Sequence, residues 1–195
     1  MDNQSTILKH INLIQKIRSG DENAFSELVG IWHTRIYNFA LRYSNEQHFA
    51  EEVVQKTFIQ VYEKIHQLED VCKFQPWLYR ITSNCCLSQG RVKQRYFQII
   101  KGMNASHNNS DVIDDPGKLY DKREREQMVT ELLQILPEEQ RTVILMKEYE
   151  GLKFREIAEI LGESENTVKS RMYYGLDAMR KYLSNQKYIK ELYYE

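Results

Sequence analysis

Apolar residues recur at three- and four-residue spacing along most of this chain, the pattern of amphipathic helices laid on a core. After Asp21, a side chain suited to capping a helix start, one stripe carries Phe25, Leu28, Val29, Trp32, Ile36, Phe39, Ala40 and Tyr43 and predicts a first core-facing helix. A second block repeats the pattern with Phe49, Val53, Val54, Thr57, Phe58, Val61, Ile65 and Leu68, leaving Glu51, Glu52, Gln55 and Lys56 on other faces. The two stripes should pack together. Residues 68–73 interrupt the period and read as a short loop, and Pro76, placed for a first helical turn, restarts it with Trp77, Ile81 and Cys85 at i, i+4 and i+8. On that stripe Trp77 reads as core rather than as a stacking platform.

Periodicity then disappears over residues 102–117, GMNASHNNSDVIDDPG, whose Asn, Ser, Asp, Gly and Pro content marks a flexible linker. Domains are therefore expected at residues 1–97 and 123–195, with residues 98–122 between them. Met128, Val129, Leu132, Leu133, Ile135 and Leu136 predict a helix that Pro137 stops, and Val143, Ile144, Leu145 and Met146 another that Gly151 ends. Next come a helix over Phe154–Leu161, a tight turn at Gly162 and Glu163, and Ser164 as the cap of a long helix through about Leu183. That is helix-turn-helix grammar. At 100° per residue Val168, Met172, Leu176, Met179 and Leu183 fall within an arc of roughly 80° and should face the core. Asn166, Ser170, Tyr173 and Tyr174 point away, flanked by Thr167, Lys169 and Arg171, which suits phosphates and base edges in a major groove and equally suits an ordinary solvated face.

Gly and Pro are scarce, 8 and 3 in 195 residues, so an all-α fold of two small helical domains is expected. The net charge of −1 says little until its distribution is seen. Residues 73–110 contain no acid, only Lys73, Arg80, Arg91, Lys93, Arg95 and Lys101, whereas residues 111–139 are mostly acidic. Cys72, Cys85 and Cys86 form no C-x-x-C pair and no histidine offers ligand spacing, so neither a disulfide framework nor a metal site is expected. No Gly-rich phosphate loop or nucleophile–His–acid arrangement emerges either, which disfavours an enzyme and calls for no cofactor. With no apolar run near membrane-span length and no signal peptide at MDNQSTILKH, a cytoplasmic location without membrane insertion is expected.

The segment LPEEQRTVILMKEYEGLKFREIAEILGESENTVKSRMYYGLDAMRKYL resembles the promoter-binding domain four of bacterial sigma factors. Independently, AEEVVQKTFIQVY followed by FQPWLYRITSN resembles domain two of the same family. The likeness covers about residues 12–97 and 123–187 and leaves no room for a middle domain, which matches the extracytoplasmic-function (ECF) group of the sigma-70 family.

The resemblance implies a factor that binds core RNA polymerase, on the largest-subunit coiled coil and the flap, and promoter DNA, under the control of an anti-sigma factor. It implies polymerase contacts at Glu51, Glu52, Gln55 and Phe58, although Phe58 reads equally as core. For a flipped minus-ten base and its strand it points to Leu68, Lys73, Arg80, Asn84, Arg91, Lys93 and Arg95. For the minus-thirty-five element it points to Lys147, Asn166, Thr167, Lys169, Ser170, Arg171, Tyr173 and Tyr174. Lys56 stands where an acid is common, and Ser88 and Gly90 replace larger or charged residues, with Gly90 expected to end or bend its helix. A sigma-mimicking interaction protein and a helix-turn-helix repressor with a ligand domain remain as competing readings.

Overall fold

The computed structural model describes residues 3–101 and 120–193, which are helical apart from short connections. The first unit comprises α1 (Asn3–Arg18), α2 (Glu22–Ser44), α3 (Gln47–Lys64) and α4 (Phe74–Lys101), with two 3₁₀ turns, Ile65–Gln67 and Val71–Lys73, before α4. The second comprises α5 (Tyr120–Gln134), α6 (Glu138–Ile144) running into a π-helical segment Leu145–Tyr149, α7 (Phe154–Leu161) and α8 (Glu165–Tyr193). Residues 102–119, the centre of the expected linker, lie outside the described residues.

Local chemistry sets the helix boundaries. The Asp21 carboxylate accepts from the backbone N–H groups of Asn23 and Ala24 at 3.0 and 3.3 Å and so starts α2. Asn45, in the left-handed region at φ 58°, ends it by returning its N–H to Leu41 O. The predicted stripes of α2 and α3 then meet, and the centre they enclose is aromatic. Trp32 stands edge-on to Phe74 and to Tyr79 at centroid distances of 5.8 and 6.2 Å, and Phe39 packs on Tyr79 at 5.4 Å.

The periodicity had not revealed α1, because its stripe is short and its opening turns are polar. It buries Leu13, Ile14 and Ile17 against α2, and the buried His10 accepts the Trp32 indole N–H at Nε2, 3.2 Å away. At its end the Arg18 guanidinium donates to the carbonyls of Ile65 and Leu68, fastening the chain that leads into the 68–73 loop.

Three expectations change. Helix α4 starts at Phe74, so Pro76 lies within its first turn, and it passes Ser88 and Gly90 unbroken to Lys101. The last helix continues well beyond Leu183, to Tyr193. Leu176 and Leu183 are 41% and 38% exposed instead of core, while Gly175 is buried. The reason is a close crossing: α8 passes so near α6 that a Cβ on Gly175 would stand 2.8 Å from Ile144 Cδ1. The crossing turns Val168, Met172 and Gly175 inward. Leu176 stands at the edge of that inward arc and Leu183 lies two turns beyond Gly175, while Ala178 and Met179 between them stay partly buried against the core.

The units also touch. Helix α7 packs on α4, while α5 and the Leu145–Tyr149 segment pack on α2. Among the described residues no helix is long and apolar enough to cross a membrane, and no three metal-binding side chains cluster.

Two outcomes follow from these contacts. Gly175→Leu should destabilise the fold by roughly 1–3 kcal/mol in denaturant unfolding through overpacking, although a glycine replaced at an open helical site gains stability. His10 is held below its usual 6.5, first by burial and then by Arg35 and Lys9, so the fold favours the neutral ring. The stability this contributes is full above pH 6.5 and is lost as pH falls through the depressed value. Between about pH 7.5 and about pH 5.5 the melting midpoint should fall further in the wild type than in His10→Gln, which keeps an acceptor and cannot titrate.

Candidate functional site

The outward side of α3 carries Glu51 and Gln55, both exposed, and Glu52, which sits between His48 at 3.5 Å and Lys56 at 3.8 Å. Lys56 also donates to the Gln89 side-chain oxygen and so turns toward α4. Phe58 does not reach this surface: it is 8% exposed and packs inward with Val54 and Val61. Ile59 and Tyr62 supply the apolar surface instead, 51% and 56% exposed. With Glu52 and Gln55 they form one stripe at i, i+3, i+7 and i+10. Their signal in the sequence was two large apolar residues off the core stripe.

Leu68, 5% exposed, borders a cavity of about 240 Å³. The Asp70 carboxylate shapes the loop by accepting the Cys72 N–H at 3.0 Å. Lys73, Trp77 and Arg80 line the same cavity, so Leu68, Lys73 and Arg80, three of the residues marked for the minus-ten element, come together there. Trp77 is half-buried, packed on Phe74 at 6.0 Å while lining the cavity, so it is core and wall at once. Asn84 is absent from the lining and exposed one turn further along α4. Arg80, Asn84 and Arg91 fall within about 40° on one exposed face. Lys93 and Arg95 belong to α4, but their side chains lie outside the described residues.

The helix-turn-helix is capped at each joint. Glu156 accepts from the Lys153 N–H at 2.7 Å, Gly162 makes the left-handed turn at φ 68°, and Ser164 Oγ accepts from the Thr167 N–H at 3.0 Å. Asn166, Ser170, Tyr173 and Tyr174 are exposed, the tyrosines 65% and 68%. Lys147 and Lys169 approach one ring, Phe154, at 5.1 and 5.8 Å. Phe154 thus gathers two cations from separate helices, a role its place in the sequence did not announce. Lys169 also pairs with Glu165 at 2.6 Å, and Arg171 with Glu163 at 2.8 Å. Surface pairs of this kind are worth about 0–1 kcal/mol.

A helical unit with an acidic-apolar flank and a basic face, followed by a helix-turn-helix unit, has the architecture of a two-module DNA-binding protein. The family model for Sigma-70 region 2 matches residues 28–96, and that for Sigma-70, region 4 matches residues 126–179. The chain is similar to the ECF RNA polymerase sigma factor SigW of Bacillus subtilis, 31% identical over 176 residues that make up 87% of this chain and 94% of that protein. It also resembles the RNA polymerase sigma-H factor of Pseudomonas aeruginosa, at 28% identity over 88% of this chain and 92% of that protein. It shares a fold with CnrH, solved in complex with the cytosolic domain of CnrY, at a TM-score of 0.67 and 21% identity, covering 91% of this chain and 98% of that one. RpoE of Bartonella quintana, solved with the anti-sigma factor NepR, gives a TM-score of 0.67 at 24% identity over 82% and 96% of the two chains. The chain belongs to the extracytoplasmic-function sigma factors of the sigma-70 family, initiation subunits that are not themselves enzymes.

Because Arg18 holds two loop carbonyls at once, Arg18→Ala should loosen that loop before it loosens the bundle. The expected readout is faster amide hydrogen exchange across residues 68–73, with protection of the α2 core unchanged.

Proposed function

We propose that the chain docks on core RNA polymerase through Glu51, Glu52 and Gln55 with Ile59 and Tyr62, an apolar stripe beside acids that suits a basic helical partner. In this reading the partner is the largest-subunit coiled coil, while the C-terminal unit meets the flap. Residues 1–97 act on the minus-ten element and residues 123–195 on the minus-thirty-five element, with residues 98–122 joining them. Leu68 walls the cavity that takes a flipped base, Asn84 offers its amide nearby, and Lys73, Arg80, Arg91, Lys93 and Arg95 track the strand phosphates. Asn166, Thr167, Lys169, Ser170, Arg171, Tyr173 and Tyr174 face the upstream major groove, with Lys147 on a phosphate.

The observation that carries this reading is the cavity beneath Leu68, bordered by Lys73 and Arg80 in the same chain as a capped helix-turn-helix. An anti-sigma factor is the expected regulator, since of two solved proteins of this fold one was solved with the anti-sigma factor NepR and the other with the cytosolic domain of CnrY. The protein is expected to work in the cytoplasm, where polymerase is.

Run-off transcription from a promoter library with sigma-free core polymerase tests the proposal. Promoter-specific transcripts should appear with the wild type and fall at least tenfold with Glu52→Arg plus Ile59→Ala. Arg171→Ala should cost about 1–3 kcal/mol and relax specificity at one base if it reads a guanine, whereas Lys147→Ala should weaken every site alike. Absence of core-dependent transcripts with the wild type would sink the proposal.

A further inference from the structure

Two lysines are drawn to one ring. Lys147, in the π-helical segment before the helix-turn-helix, and Lys169, in the second turn of α8, bring their ammonium groups to 5.1 and 5.8 Å from the centre of the Phe154 ring. Both distances fall within the roughly 6 Å over which the negative face of an aromatic ring attracts a cation. Like charges gathered in this way repel, so the ring works against their mutual repulsion.

Little else neutralises the pair. Among the described residues Lys147 makes no ion pair, and its ammonium donates only to Leu152 O at 3.4 Å, a long bond. Lys169 has Glu165, 2.6 Å away, and both of those side chains remain nearly half exposed. The other carboxylates of α7 and of the turn after it are committed elsewhere: Glu156 to the Lys153 N–H, Glu159 to Arg155 and Glu163 to Arg171. The spot therefore stays electropositive in a chain whose net charge is −1.

The ring is placed for a backbone rather than for a base. Phe154 is the first residue of α7, and in a helix-turn-helix the first helix crosses the DNA backbone while the second enters the groove. It is half-buried and packed against the core, which fixes the surface that receives the ammonium groups. Lysine is a flexible point charge that ordinarily loses rotamer freedom when it meets a phosphate. Held at a fixed ring beforehand, the two lysines surrender that freedom in folding rather than in binding. Arg155, the next residue, has no such support: its side chain is 84% exposed and reaches Glu159 alone.

We propose that Phe154 is a positioning residue for promoter binding, its ring gathering Lys147 and Lys169 into one site for the phosphates of a single strand beside the upstream element. Phe154 reads no base. It acts through the lysines, so it sets how strongly the chain holds the duplex and leaves base preference to α8. The inference rests on reading the helix-turn-helix as the minus-thirty-five contact.

The test uses the full chain bound to core polymerase and two duplexes, a promoter fragment recovered from the run-off library and the same fragment with one base pair of its upstream element replaced. Affinity is measured over a series of salt concentrations, because each phosphate contact adds about one to the slope of log affinity against log salt. Phe154→Leu keeps an apolar side chain on the core and removes the ring. It should bind both duplexes roughly tenfold more weakly, with their affinity ratio unchanged and the slope reduced by about one to two. Phe154→Tyr, which keeps a ring, should restore both affinity and slope. Lys147→Ala should cost markedly less affinity beside Phe154→Leu than it costs alone. A ring that serves only packing would lower the melting midpoint and the affinity while leaving the salt slope and the cost of Lys147→Ala unchanged, and that result overturns the proposal. Wild-type affinity and slope in Phe154→Leu overturn it too, and if the lysine variants still weaken binding, the upstream reading survives. If no promoter fragment is recovered, or if Lys147→Ala and Lys169→Ala change neither affinity nor slope, the upstream reading of these lysines fails and the proposal falls with it.

Discussion

A phenol buried in an aromatic core must be given an acceptor, and in this protein the acceptor comes from the other unit. Tyr79 lies between Trp32 and Phe39 at the centre of the first bundle, and its hydroxyl donates to the Glu150 carboxylate. Left unpaired, such a group costs about 1–3 kcal/mol. Glu150 is equally dependent, because a carboxylate this buried needs both the hydroxyl and Arg35 nearby. One hydrogen bond therefore couples the packing of the N-terminal core to the placement of the helix-turn-helix.

The three faces proposed for polymerase and DNA stay clear of the core. The α3 stripe is exposed because the opposite side of the helix supplies Val53, Val54, Phe58 and Val61 to the bundle. The basic face of α4 is exposed because Leu78, Tyr79 and Ile81 turn inward. On α8 the outward residues are held in register by the Ser164 cap and by the close crossing at Gly175. Each face is thus the solvent side of an amphipathic helix whose other side is anchored.

Much of this was legible in the residues. Asp21 and Ser164 cap helices as their chemistry predicts, and the α2 and α3 stripes pack as their periods require. Misreadings came where a tertiary neighbour decided. Leu176 and Leu183 keep the helical period of a core stripe yet lie exposed, whereas Met179 on the same stripe is partly buried. Phe58 turns inward as its place on the α3 stripe requires, so the surface role that the resemblance implied for it falls to its exposed neighbour Ile59 only as a proposal. Arg18 and Phe154 escaped notice because their partners, two carbonyls and two lysines, are brought close only by the fold.

The sequence by itself determined the helical class, the Asp21 and Ser164 caps, the core faces of α2 and α3 and the family, because these rest on local propensity, periodicity and short motifs. Tertiary structure alone decided that Gly90 is a point of approach rather than a helix end, that Glu150 is buried, and that α7 borders the Leu68 cavity. Those outcomes depend on residues tens of positions apart in the chain meeting across an interface, and helical periodicity records which face is apolar without recording what will cover it.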